Sequence, residues 1–477
     1  MPAIGPWIAV ALLLAAAPSR AADWDITPSV GLTSVLSDNA YQNAQGTEQT
    51  DLITTVAPGV SVRGTGGRAQ ANFDYSLQRV HYLDDDDRGE FRQRLVGNGT
   101  AEIYQDQIFV DAQASISRQI VNSAGPVTGS EFDDNSNVTE VRSVEASPAF
   151  RHHFGNWVDT LTRNRVSRVT TDSTAVTDTT TVGAEFLATS GSRFSVFTWS
   201  ISGTEDKTFR DGDAPRIKTR FVNADGRYAV NRKVSLLGGV GHEKIDDPTL
   251  NPEPEGVTWN IGAALRPGSK TDITVTYGHR FDGENWAADA AYRFSARTRV
   301  SASYQETIQI SQQAINEDLS FLGVDDQGVL IDTRTGLPFN FESANFGLSS
   351  DATRNRSFTL VATATRRRQS FRLDGSWQTQ KADSTGIEQT VLSAGGSWTR
   401  SLNPRATATA SLTYRHTDFG TADGRKDDFY LATLSYNHVI SETVTGSLSY
   451  THTERASTVG GAGQSDNVVT LALTKTF

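Results

Sequence analysis

From Trp24 to the end of the chain, apolar side chains recur at every second position. In residues 271–281, Ile273, Val275, Tyr277 and Phe281 share one face, and Asp272, Thr274, Thr276, Gly278 and Arg280 share the other. Residues 300–310 repeat this, with Val300, Ala302, Tyr304, Ile308 and Ile310 opposite Ser301, Ser303, Gln305, Thr307 and Gln309. Residues 357–365 and 443–451 do the same. An amphipathic helix needs apolar residues three and four apart, so these segments predict strands with one apolar and one polar face. They run for about 11–16 residues, where strands of soluble sheets favour about 5–6 and a tilted membrane-crossing strand needs about 9–11.

The spacing of these segments predicts about 22 strands whose connections alternate between short and long. Short ones include residues 64–67, 154–156, 266–269, 295–297 and 402–404; long ones include 38–50, 84–90, 121–137, 204–215, 245–255, 418–428 and 456–466. Short turns on one side and long loops on the other define an outer-membrane barrel, with the turns in the periplasm. A long first connection places the start of the chain on the periplasmic side, and an even strand number returns Phe477 there. The fold expected is therefore an all-β, antiparallel transmembrane barrel of the bacterial outer membrane.

Composition agrees. The 477 residues include no cysteine, only 37% are hydrophobic, and the mean hydropathy is −0.40. These values exclude a disulfide scaffold, a thiolate site and a helical membrane protein. A barrel with a wet interior needs apolar side chains on only one face of each strand. The net charge of −11 argues against nucleic acid as a partner. Residues 6–17 (PWIAVALLLAAA) are an apolar run too short to span a bilayer, followed by Ser19-Arg20-Ala21, which suits cleavage after Ala21. Residues 1–21 are thus read as an export signal and 22–477 as the barrel. The first strand begins immediately after this signal, which disfavours a transporter with a globular plug ahead of its barrel.

The chain closes on Val469, Leu471, Leu473 and Phe477 at alternate positions, with Lys475 where an apolar residue is usual. The pattern resembles the terminal assembly signal of bacterial barrels and implies recognition by barrel-assembly machinery. The sequence also resembles the outer-membrane barrel proteins associated with PEP-CTERM/exosortase systems and exopolysaccharide gene clusters. The resemblance is carried by Ile26-Thr27-Pro28-Ser29-Val30-Gly31-Leu32, Ser37-Asp38-Asn39, Val56-Ala57-Pro58-Gly59-Val60-Ser61-Val62, Trp259-Asn260-Ile261-Gly262, Tyr277-Gly278-His279-Arg280-Phe281, Tyr292–Thr298, Glu454-Arg455-Ala456-Ser457 and Asp466-Asn467-Val468-Val469. It implies a barrel encoded with polysaccharide production and surface-protein sorting, and it implies no catalytic residue.

Residues 311–355 form the longest interruption and carry an unusual number of large apolar side chains for an exposed loop. They are expected to constrict the mouth or lumen, with Phe321, Asp325, Asp326, Asp332, Phe339 and Phe341 as candidate constriction residues; a hairpin standing above the rim is the competing placement. Candidate lumen-lining residues are Asp272, Thr274, Arg280, Ser303, Gln305 and Gln309. Asp84–Asp87 and Arg366–Arg368 read as solvated connections. His152 and His153 are adjacent, hence on opposite strand faces and unable to chelate one metal. Nothing marks a nucleophile, metal or cofactor site. The function expected is a pore or conduit linked to exopolysaccharide export or surface-protein sorting, and no enzyme. Its expected partners are outer-membrane lipid and lipopolysaccharide, polysaccharide and periplasmic export components. The alternative is a non-conducting barrel that docks such partners.

Overall fold

A computed structural model describes residues 23–126, 135–212, 214–248, 250, 253–281, 283–310, 313–314, 322–324, 330–332, 337–338, 346–348, 352–382 and 384–477. The export signal lies outside the described residues. The strands are β1 (Asp23–Ser37), β2 (Asp51–Thr65), β3 (Ala69–Tyr82), β4 (Phe91–Tyr104), β5 (Ile108–Ile120), β6 (Val138–Phe154), β7 (Val158–Thr171) and β8 (Thr179–Ser190). They continue as β9 (Phe197–Arg210), β10 (Ile217–Ala229), β11 (Val234–Asp246), β12 (Glu255–Leu265), β13 (Thr271–Arg280), β14 (Gly283–Ser295) and β15 (Thr298–Gln309). Three short strands, β16 (Leu322–Val324), β17 (Leu330–Asp332) and β18 (Leu337–Pro338), form a separate small sheet. Then come β19 (Thr353–Arg366), β20 (Gln369–Ala382), β21 (Ile387–Asn403), β22 (Ala406–Asp418), β23 (Lys426–Ser441), β24 (Val444–Ser457) and β25 (Gln464–Thr476).

Twenty-two of these strands make one antiparallel sheet in sequence order. It closes where β1 pairs with β25, from Ser29 opposite Thr476 to Ser37 opposite Val468. Closure abolishes unpaired edges, which is what allows a sheet to sit in hydrocarbon.

The outward face follows the alternation. On β13, Val275 is exposed, whereas Thr274 lies in register between Ala264 and the polar Asp289. On the outer wall, Trp259, Tyr277 and Trp286 form one aromatic contact series, with centroids 5.8 and 4.6 Å apart. Tyr292 and Phe294 form another further down β14. Six to eight residues of β14 separate the two levels, which at about 3.3 Å per residue and a tilt near 40° sets them about 15–20 Å apart along the barrel axis.

Two expectations about connections are corrected. The long–short alternation has exceptions, since the outer connections 281–282 and 383–386 are short. The first of these follows β13, which at ten residues is the shortest barrel strand. In addition, Ile308 and Ile310 do not continue the lipid face of Tyr304. Pairing of β15 with β14 stops at Tyr304, and the free upper part of β15 turns inward with β19, its partner up to Gln309.

Candidate functional site

The lumen wall is polar and largely paired with itself. On β7–β9, Arg165 Nη2 lies 2.7 Å from Asp206 Oδ1, reaching over β8. The bridge requires Gly183 between them, because a Cβ there would collide with the Asp206 carboxylate. Arg163 lies 3.2 Å from Asp111 on β5 and 3.8 Å from Glu185 on β8. On β10–β12, Asp225 accepts hydrogen bonds from Asn223 (2.5 Å) and Asn260 (3.3 Å), across Gly239 of β11. Two cavities border these networks. One, of about 820 Å³, lies against β8–β14 and includes Asn223, Asp225, Asn260 and Arg280 in its lining. The other, of about 780 Å³, lies against β3–β10 and includes Asp111, Arg163, Arg165, Asp206 and Gln309.

Near the outer end the same inward face turns apolar. Ile217, Ile245, Leu250, Phe281, Ile310 and Ala352 form a buried cluster against which Phe221 and Ile308 pack. A polar frame holds it. Glu243, only 2% exposed, accepts the Phe281 N–H and pairs with Arg280 at 3.3 Å. Arg354 donates to the Phe281 carbonyl (3.0 Å) and pairs with Glu306 (3.4 Å). Phe281 has a φ of 55°, so a bulky residue occupies the left-handed region where the connection turns. Across the barrel, Val35, Ala40, Ile53, Val80, Tyr82 and Val468 form a second cluster, with Tyr41 packed on it. There, Tyr41 donates to Asp51 at 2.6 Å. Burial and this carboxylate push the Tyr41 phenol well above its usual range.

Chain segments cross the mouth between these clusters. Gln313, just beyond β15, donates to Thr208 on β9 at 3.3 Å. Leu348, shortly before β19, donates its N–H to the carbonyl of Val121 at the end of β5 (3.0 Å), on the opposite wall. The segment after β5 reaches further. Ser123 donates to Gln389 of β21 (3.2 Å), and Arg425 and Arg455 donate to the Ala124 carbonyl at 2.8 and 2.9 Å. Asp427 pairs with both arginines.

Of the predicted lumen residues, Arg280 and Gln309 border the two cavities. Asp272 pairs with Arg266 at 2.9 Å near the short turns. Thr274 and Ser303 share the lumen-facing row, each opposite Asp289. Gln305 is exposed and borders neither cavity, so the structure does not bring the six together as one site. Phe321, Asp325, Asp326, Phe339 and Phe341 lie outside the described residues. Asp332 falls on β17, with its side chain undescribed. Val469, Leu471 and Leu473 face outward and are exposed, and Phe477 donates its N–H to Pro28 at 2.9 Å. Sequence reasoning missed the crossing residues Gln313, Ser123 and Leu348. A signal existed: Val35, Ile53, Val80, Tyr82, Ile217 and Ile245 are apolar residues on the otherwise polar face, all near outer strand ends.

The closed, apolar-walled, 22-stranded architecture is that of an outer-membrane β-barrel, and this is the protein's location. Solved structures similar in fold include the siderophore receptor PirA from Pseudomonas aeruginosa, at 7% identity and a TM-score of 0.52, covering 95% of this chain and 80% of that one. The FrpB iron transporter from Neisseria meningitidis (F3-3 variant) is similar at 11% identity and a TM-score of 0.54, covering 98% and 82%. The ferric-catecholate import receptor Fiu from E. coli K12 gives 9% and 0.52, covering 94% and 81%. No family model matches the chain, and no curated protein matches it.

Proposed function

We propose that the protein is a passive conduit for hydrated, hydroxyl-rich solutes, linked to exopolysaccharide export or surface-protein sorting, and gated by the segments that cross its mouth. The observation that carries the reading is the polar wall around the two cavities, lying below a mouth spanned from β15 and β19 to β9 and β5. Asn, Asp, Arg, Ser and Thr on that wall offer the alternating donors and acceptors that sugar hydroxyls match. Similarity in fold to proteins described as receptors and a transporter supports passage across the barrel, and we assign no reaction to it. The link to polysaccharide clusters rests on the sequence resemblance.

Single-channel recording in planar bilayers tests the conduit. The intact chain is expected to conduct in small steps, and replacing residues 316–344 by a short Gly-Ser linker is expected to enlarge them several-fold. Absence of current from both forms would overturn the conduit in favour of a docking barrel.

A further inference from the structure

The two rims carry opposite charge. The ten short turns contain ten Lys and Arg residues against two acids, Asp106 and Glu442. The eleven connections at the other rim contain 26 acids against four arginines. By the orientation of such barrels the basic rim faces the periplasm. The charge at this rim is not merely a belt for lipid headgroups, because strand arginines beside the turns add to it on the lumen face. Arg293 of β14 stands between the outward-facing Tyr292 and Phe294, so it points inward. Directly opposite it in register is Arg299 of β15, on the same face as Ser301 and Ser303. The row continues through Thr363 of β19 to Arg372 of β20.

Arg372 shares Asp374 at 3.4 Å, and Arg293 donates to the Ser269 carbonyl at 2.9 Å. Among the described residues, neither Arg293 nor Arg299 has a carboxylate within ion-pair distance. Like charges placed directly opposite destabilise a sheet, and an anion lying between them removes that repulsion. Guanidinium groups hold carboxylate and phosphate in a bidentate fork, and rings of basic side chains select anions in pores. A mouth of one sign also raises the local concentration of the opposite charge.

We propose that the periplasmic entrance captures a polyanion, a polymer of sugars bearing carboxylate or phosphate groups, and that the exposed Arg293 and Arg299 are the pair it meets first. Passage of that polymer rests on the conduit reading; its capture does not. The test uses the full chain and oligogalacturonate as probe, with neutral dextran oligomers of matched length beside it. Calorimetry on the detergent-solubilised barrel should show oligogalacturonate binding that weakens at high salt, and no dextran binding. The Arg293→Ala/Arg299→Ala double variant should lose affinity about tenfold or more, a change of about 1.4 kcal/mol or above, while keeping the heat-modifiable migration of a folded barrel. In bilayers, oligogalacturonate should block current at lower concentration from the short-turn side. Equal binding of dextran, equal affinity of the double variant, or equal block from both sides overturns the proposal. Flotation with phosphatidylglycerol liposomes that depends on the two arginines, without oligogalacturonate binding, also overturns it in favour of lipid headgroups. A barrel that binds the probe through these arginines yet passes no current keeps the capture and loses the conduit.

Discussion

Along β10 the inward-facing row runs from Arg227 through Asp225, Asn223 and Phe221 to Ile217, and its two ends have different fates. The polar end borders open space of about 820 Å³, whereas Ile217 is buried with Phe281 and Ile310. β1 and β2 repeat the change on the other wall, where Val35 and Ile53 are fully buried above Ser29 and Ser61. One alternation therefore builds two environments. Where the inward residue is polar, water is retained; where it turns apolar, within a few residues of the outer rim, incoming chain displaces water. Burying a Val or Ile side chain is worth about 1.5–3 kcal/mol, enough for two such clusters to anchor segments that reach across a wide mouth.

The largest effect expected is at the seat itself. Phe281→Ala removes a fully buried ring from the outer cluster and should cost about 3–5 kcal/mol. It should free the root of the crossing segment, read as faster limited proteolysis within residues 311–352 of the folded barrel. Asn223→Ala, in the open polar part of the same lumen, should leave that rate unchanged; equal acceleration by both would erase the distinction between the two environments. Next comes the distinction between wall faces. Val275→Arg places a charge against lipid and should cost about 2–4 kcal/mol, impairing membrane assembly, while Thr274→Arg should assemble normally. Equal assembly of the two would mean that the register of β13 is wrong. The smallest effect is at Tyr41. Its phenol is raised above the usual value, so the stabilisation from its bond to Asp51 is fully present below about pH 10 and is lost only as pH rises through the folded value. Protease protection of residues 38–50 should therefore persist at pH 9 in the wild type. Tyr41→Phe should lower that protection by about the 0.5–1.5 kcal/mol of one hydrogen bond at every pH below that point.

The strand periodicity was legible because lipid enforces it: Val275, Leu471 and Leu473 must be apolar wherever they cross hydrocarbon. The strand number follows from counting the periodic segments, and an even number returns Phe477 to the starting side. The inward turn of β15 was not legible. Ile308 and Ile310 keep the parity of Tyr304, and parity cannot report that a strand has parted from its neighbour. The Leu348–Val121 contact joins opposite walls, and no local spacing encodes a bond of that reach. Legible but unread were the apolar residues on the polar face near the outer ends.

The pairing of β1 with β25 bears on how such a wall can be made. Apart from β15 and β19, which flank the small sheet, every other pair in the barrel joins consecutive strands of the chain, whereas Ser37 finds Asp466 at a separation of 429 residues. Loop closure over that span costs about 3 kcal/mol more entropy than closing a hairpin of about twenty residues. Contacts of such high sequence separation form late. Closure is thus the slowest pairing to form, and an unclosed sheet has two raw edges that invite pairing with other chains. The hydrogen bonds of Asp38 to Asn467, both 2.7 Å, and of Ser37 to Asp466 then act as the clasp that makes closure hard to reverse.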